Sequence, residues 1–318
     1  MRNKLFFIIL LAGAGYTASA QQDAHFSHYM FNQALYNPAW LTQEKSGYVS
    51  ALHRTQWAGY ATSFDGSGGA PTTQQFNFGM PLATMPGAVG VTAIHDQLGP
   101  LTNVHLQFLG AYYKNFNRGR VSLGLRPSLV MQTIDFDQWR FVDPNDPLNK
   151  GGRESQLRPD LSFGAMYSNT DFYLGVGINH ILSPSFDFGI AQIENRLERS
   201  VNLMAGYSFK PTYNLEVSPS FLVRSTFKTF TFDASAIATY QNKLWGGLGF
   251  RESEAMIVLL GYNFLKDGIL KVGYSFDYVI ESREAKQSTS HEVFVRYKLG
   301  GLTGGGGKKI IRTPRFRF

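Results

Sequence analysis

The chain has 318 residues, 14% of them aromatic and only 17% charged, with 33 glycines and no cysteine. So aromatic and charge-poor a composition argues against an ordinary soluble domain, and the missing thiols exclude disulfide staples and thiolate chemistry. The formal net charge of +7 sits at the ends: with Arg2, Lys4, Lys308, Lys309, Arg312, Arg315 and Arg317 set aside, the basic groups left match the 23 acidic ones, so the body has no field that attracts nucleic acid.

Residues 1–20 read as a secretory signal peptide, with Arg2 and Lys4, an apolar run from Leu5 to Leu11, and small residues closing on Ala18, Ser19 and Ala20. Cleavage is expected before Gln21, because the apolar run is too short for a permanent helical span. Beyond Ala20 no run of about eighteen apolar residues follows, so any crossing of a membrane must use strands. Residues 21–45 precede the first strand and are expected at the periplasmic mouth of whatever the strands enclose.

From Ser46 the chain breaks into segments of roughly ten residues in which apolar side chains alternate with small or polar ones. Val272, Tyr274, Phe276 and Tyr278 share one face of such a segment, and Gly273, Ser275 and Asp277 share the other. A soluble sandwich also alternates. The aromatic loading of the apolar face near segment ends, the Gly, Ser, Asn and charge on the other face, and the leader together point to an all-β fold, a transmembrane antiparallel β-barrel.

The count is about fourteen strands, over 46–57, 72–80, 87–96, 101–115, 120–134, 158–168, 171–182, 199–210, 213–224, 229–241, 243–251, 256–264, 268–279 and 290–299. With the N-terminus in the periplasm, short connections fall on the periplasmic side and long ones, at 58–71, 135–157, 182–198 and 280–289, fall outside. The outer connection 251–255 is an exception, as tight as a turn. Residues 46–299 thus form the barrel, and 300–318 join a glycine-rich linker to a basic aromatic tail ending Arg315, Phe316, Arg317, Phe318.

The chain shows no catalytic constellation, with neither a G-x-S-x-G elbow nor an H-E-x-x-H pair, so no enzyme activity and no cofactor are expected. His25 and His28 have the spacing of one helical face but lack identifiable further ligands, so no metal is expected and packing is the better account. Asp143 to Pro147 reads as a proline-stiffened outer turn rather than a calcium loop. Arg126, His180, Glu216, Arg224, Asp233, Asp277 and Arg296 are candidates for a wet or salt-bridged lumen.

The stretch Gln22-Asp-Ala-His-Phe-Ser-His-Tyr-Met-Phe-Asn-Gln-Ala-Leu-Tyr-Asn-Pro-Ala-Trp40 closely resembles the opening of the PorP/SprF family, outer-membrane proteins of the type IX secretion system in Bacteroidota. His53-Arg-Thr-Gln-Trp57 is similar to that family's aromatic-R-x-Q-W stretch, with His53 where an aromatic is usual. The resemblance implies an outer-membrane protein of the secretion or gliding machinery. Its partners would be an exported adhesin-like protein, bound through a C-terminal sorting domain, and type IX or gliding components at the periplasmic face, with outer-membrane lipid around the wall. Phe26, Tyr29, Phe31, Asn37, Pro38, Arg54, Trp57, Trp139, Arg315 and Phe318 are the candidate partner-binding residues, and closing the mouth is the alternative role for those of the opening motif. The competing function is an outer-membrane channel or transporter of hydrophobic small molecules.

Overall fold

The computed structural model describes residues 23–60, 69–138, 151–188, 195–265, 268–281 and 286–303. The leader, Trp139, the Asp143–Pro147 stretch, Arg315 and Phe318 lie outside the described residues.

Among the described residues fourteen antiparallel strands close a barrel. They are β1 (Ser46–Thr55), β2 (Thr72–Pro81), β3 (Gly87–Leu98), β4 (Leu101–Phe116), β5 (Gly119–Asp135), β6 (Arg153–Ser168), β7 (Phe172–Asn179), β8 (Ser200–Tyr207, resuming as Phe209–Thr212), β9 (Leu215–Ser225), β10 (Phe230–Tyr240), β11 (Leu244–Arg251), β12 (Ala255–Phe264), β13 (Leu270–Val279) and β14 (Thr289–Thr303). Every strand pairs with its sequence neighbours, and β1 pairs with β14 to close the ring without a free edge. A closed ring satisfies every backbone polar group without water, as a strand crossing of hydrocarbon requires.

The strand boundaries follow the alternation closely, with two instructive departures. β6 begins at Arg153, five residues before the expected start, because Glu154 to Leu157 pair in register with Ile134 to Met131 of β5. β14 runs on to Thr303, past the expected end, because Ser46 of β1 finds its partner there across a register shift. The outer connection after β7 also holds a two-residue ribbon, Ser185–Phe186 with Asn195–Arg196, that the alternation did not signal.

The wall is inside-out relative to a soluble protein. Leu123, Leu125, Leu174, Leu203, Leu248 and Leu260 are exposed on its outer face, while Ser50, Gln75, Asn77, Gln107, Ser122 and Asp277 are buried on its inner face. Tyr112, Phe116, Tyr207, Phe209, Tyr240, Tyr262 and Phe264 lie toward the short-turn end, and Phe230, Phe250 and Tyr278 toward the other. These two outward aromatic belts suit a lipid-embedded wall, with the short turns on the periplasmic side.

This orientation has a direct readout, because a chain without cysteine makes any introduced thiol unique. Phe227, in the outer turn between β9 and β10, and Tyr213, in the turn between β8 and β9, are both highly exposed. In intact cells a membrane-impermeant maleimide should label Phe227→Cys and spare Tyr213→Cys until the outer membrane is permeabilised. Equal labelling of both would overturn the orientation.

Candidate functional site

Residues 23–45 fill the lumen. Three short 3-10 turns, Tyr29–Phe31, Gln33–Leu35 and Pro38–Gln43, fold the segment, and Asn37 caps the last one with its Oδ1 accepting from the Ala39 amide at 3.0 Å. Pro38 suits the first position of that turn, where no amide is required. The segment was expected at the periplasmic mouth but it reaches higher. Glu44 meets Arg296 near the short-turn end, whereas Asp23 meets His180 beyond the outer end of β7.

The wall makes room for this plug with glycine. Gly124, Gly164 and Gly177 are directly opposed on β5, β6 and β7, and a Cβ added to each would lie 2.3, 2.0 and 2.0 Å from Ala39 N, Asn37 Oδ1 and Tyr36 O. No real Cβ makes such contacts, so only glycine lets the plug backbone lie against the strands. Gly79 and Gly90, opposed on β2 and β3, leave room for the Leu41 side chain, whose methyls lie 2.8 and 3.2 Å from where their Cβ atoms would be. On the far wall Trp245 lies over Gly261 and Gly273 and packs edge-on against Phe31 at a ring separation of 4.9 Å.

Charge supplies the specific links. The Glu292 carboxylate accepts from the amides of Ser27 and His28, both at 2.8 Å, and lies 2.6 Å from His28 Nδ1. Arg54 Nη1 reaches Ser27 Oγ and Asp277 Oδ2, each at 2.7 Å, and Glu292 Oε2 at 3.3 Å. Arg251 binds Asp233 at 2.6 Å and donates to the Phe26 carbonyl at 2.9 Å, while Arg224 holds the other oxygen of Asp233 at 2.9 Å. Arg126 donates to the Ala34 and Leu35 carbonyls and to Ser162 and Asn179.

A second latch forms higher up. His180 Nδ1 lies 2.7 Å from Asp160 Oδ2 and its Nε2 lies 3.0 Å from Asp23 Oδ1. Both ring nitrogens face carboxylates, and both can donate only in the imidazolium. Burial opposes that charge, yet the two carboxylates outweigh it and raise His180 to about 10. Burial likewise opposes ionisation of Asp23, and His180 overrides it to hold the carboxyl below its usual range. His25 goes the other way: burial, with the Arg224 charge adding to it, brings it down to about 4, so it sits neutral 3.9 Å from Glu254.

Of the candidate partner-binding residues, Phe26, Tyr29, Asn37, Pro38 and Arg54 are buried in the lumen, where they hold plug to wall and present no surface to a partner. Phe31 is partly buried and faces the periplasmic opening, and Trp57 stands at the outer rim beneath Lys286, whose Nζ lies 5.3 Å from its ring centre. His25 and His28 do not share a helical face. They serve different carboxylates, and among the described residues no group of His, Asp and Glu could hold a metal. Arg126, His180, Arg224, Asp233 and Asp277 are lumenal as expected, as is Arg296 nearer the short-turn end, where it holds Glu44, while Glu216 lies at that end, 4.0 Å from Lys210. The alternation missed Asp160, Arg251 and Glu254 as network members, although the first two occupy inward positions of their strands.

The plug stands between two cavities. The outer one, about 310 Å³, is lined by Asp23, His25, Tyr36, His105, Gln107, Arg126, His180 and Arg224. The inner one, about 740 Å³, opens at the short-turn end.

Two outcomes follow in planar bilayers. Breaking a buried ion pair by removing one partner costs about 3–5 kcal/mol, so Glu292→Gln, or Gly124→Ala with Gly177→Ala, should produce channel openings that the unsubstituted barrel lacks; silence in both variants would mean that the plug does not depend on these contacts. The second outcome concerns pH. His25, held below its ordinary 6.5, penalises the docked plug increasingly as pH falls from 6.5 toward 4. His180, raised above 6.5, contributes fully below that value and loses its contribution as pH rises through about 10. The plug should therefore be firmest near neutrality, with His25→Asn flattening the acid limb of conductance against pH and His180→Asn the alkaline limb.

The family model for the type IX secretion system membrane protein PorP/SprF matches residues 18–297. No curated protein sequence matches. Among solved structures, the barrel is similar to the TodX deltaS2S3 mutant monoaromatic hydrocarbon channel, at 9% identity and a TM-score of 0.51 over 84% of this chain and 94% of that one. It is also similar to the CymD monoaromatic hydrocarbon channel, at 13% identity and a TM-score of 0.50 over 90% and 95%. At such identities the likeness speaks for the fold alone. The strand-built wall, the lumenal plug carrying the opening motif and the family match agree: the chain belongs to the PorP/SprF family of type IX secretion system outer-membrane barrels.

Proposed function

We propose that this barrel is a non-enzymatic receptor at the cell surface, which assists export or anchoring of large adhesin-like proteins by binding their C-terminal sorting domain at its outer mouth. Its leader is removed near Ala20, and its periplasmic face meets secretion or gliding components. The observation that carries the reading is the plug. A lumen occupied by residues 23–45, tied to the wall by Glu292, Arg54, Arg251 and Arg126, suits a barrel that holds a client rather than one that conducts it. A fourteen-stranded cylinder is in any case too narrow for a folded domain. Trp57 and the outer turns offer the contact surface, and the outer cavity receives what projects from it.

The competing reading, a channel or transporter of hydrophobic small molecules, draws on the fold shared with two hydrocarbon channels. It predicts ligand passage through the unsubstituted barrel, and a mostly polar plug contact network disfavours it.

Gentle solubilisation of native outer membranes followed by affinity isolation should recover the barrel with a large exported protein. Recovery of the barrel alone, together with uptake of a monoaromatic hydrocarbon into proteoliposomes, would favour the transporter instead.

A further inference from the structure

The inner cavity has a chemistry that neither the plug nor the outer mouth uses. It opens at the short-turn end and is lined, among the described residues, by Lys243, Lys271, Arg296 and Lys298 against one carboxylate, Glu44. Arg296 already holds that carboxylate, and its guanidinium also lies 3.9 Å from the ring centre of Tyr48. Glu216, near the same end, lies 4.0 Å from Lys210. Among the described residues the opening therefore carries more cations than carboxylates, Lys243 and Lys271 foremost, in a chain whose body is formally neutral.

The Lys271 ammonium rests over Phe31 of the plug, 4.1 Å from the ring centre, and 5.6 Å from that of Trp245. Cation–π contacts of this kind hold a cation in place without neutralising it. Asn263 adds a demand of the opposite sense: its Nδ2 donates to the Asn242 carbonyl at 2.9 Å, while its Oδ1 is buried without a donor. Phe31, Leu265 and Ile269 contribute apolar lining. An occupant that meets all three conditions brings carboxylates for Lys243 and Lys271, an N–H for Asn263 and apolar atoms for the rest. Inorganic phosphate brings only the charge. A peptide rich in Asp and Glu brings all of them, its own backbone supplying the N–H.

We infer that this basic vestibule is the docking site for an acidic, extended segment of a periplasmic protein. The inference deepens the reading in which this face meets secretion or gliding components, and rests on it. The orientation of the barrel makes the vestibule accessible from the periplasm alone, and a segment seated there touches the plug from below through Phe31 and Lys271.

The test uses the full-length barrel in detergent and a fluorescein-labelled peptide of alternating Glu and Ala, followed by anisotropy. Lys243→Gln with Lys271→Gln should weaken binding about tenfold. The outer-mouth control Lys228→Gln should leave it unchanged. The basic tail is present in every variant, so its contribution cancels. Should the double variant lose the heat-modifiable mobility of a folded barrel, Lys243→Gln alone, at an exposed turn position, gives the same comparison with about a threefold effect. Binding by the double variant within twofold of the unsubstituted protein would overturn the site. So would competition by inorganic phosphate, by muropeptides or by phosphatidylglycerol vesicles as effective as that of unlabelled peptide. Periplasmic proteins that co-purify with the unsubstituted barrel from cross-linked cells report separately on the underlying reading: their presence alongside an unchanged double variant removes the site and leaves the reading, and their absence removes the reading.

Discussion

A single carboxylate, that of Glu292, sits where plug and wall must agree. It lies on β14, fully buried, and takes two plug amides and an imidazole while facing the Arg54 guanidinium. Such a charge deep in a protein is costly unless every lone pair has a partner. The inner wall of this barrel supplies Arg54, and the rest of the satisfaction comes from Ser27 and His28. The wall therefore needs the plug as much as the plug needs the wall. An inside-out barrel buries its polar residues by default, and filling its lumen with a chain of exposed amides and carbonyls is one way to pair them.

Steric and electrostatic terms divide the work. Glycines aligned across β5, β6 and β7 remove side chains along a path, so backbone meets backbone, and Asn202 on β8 extends the path by donating to the Tyr36 carbonyl at 3.2 Å. This contact fixes where the plug runs but pairs few charges. The ion network at the outer half fixes which residues sit opposite which, because Arg54, Arg251 and Arg126 each reach both a wall group and a plug group. Removing charge loosens the plug while its track remains, and filling the track leaves charges without partners.

The wall was legible in the sequence because a strand writes its two faces into alternate residues. Ser275 and Asp277 inward with Tyr274 and Tyr278 outward needed no tertiary information. The closure of β1 on β14 was legible only as a consequence of the barrel reading. The plug was not, although its motif was conspicuous, because residues 23–45 have no period and are ordered by wall groups scattered along the chain from Arg54 to Glu292. Glu292 falls at an inward position of its strand, but nothing in the alternation marks it as a joint. The glycine track left one signal that could have been used: Gly124, Gly164 and Gly177 all fall at inward positions, where a lumen open to water has no need to lose three side chains in register. Glu254 had no signal, since it lies in a turn rather than on an alternating face.

The two ends of the lumen differ in what they leave unanswered, and this bears on how the molecule can work. At the outer end the charges of the described residues largely meet partners: Asp23 and Asp160 with His180, Arg224 with Asp233, and Lys228 with Glu198. What is left for a ligand there is shape, amides such as Gln107 and an aromatic rim. At the inner end, among the described residues, cations outnumber carboxylates. A partner at the outer mouth must therefore be recognised by fit, with little dependence on salt, and one at the inner mouth by charge, with strong dependence on it. The plug touches both cavities, Asp23 and Tyr36 lining the first and Phe31 and Glu44 the second, so a ligand at either end meets the same 23-to-45 segment. Any communication across this outer membrane barrel runs through how firmly that segment is held, and Glu292 with Arg54 is the joint at which the hold is tightest.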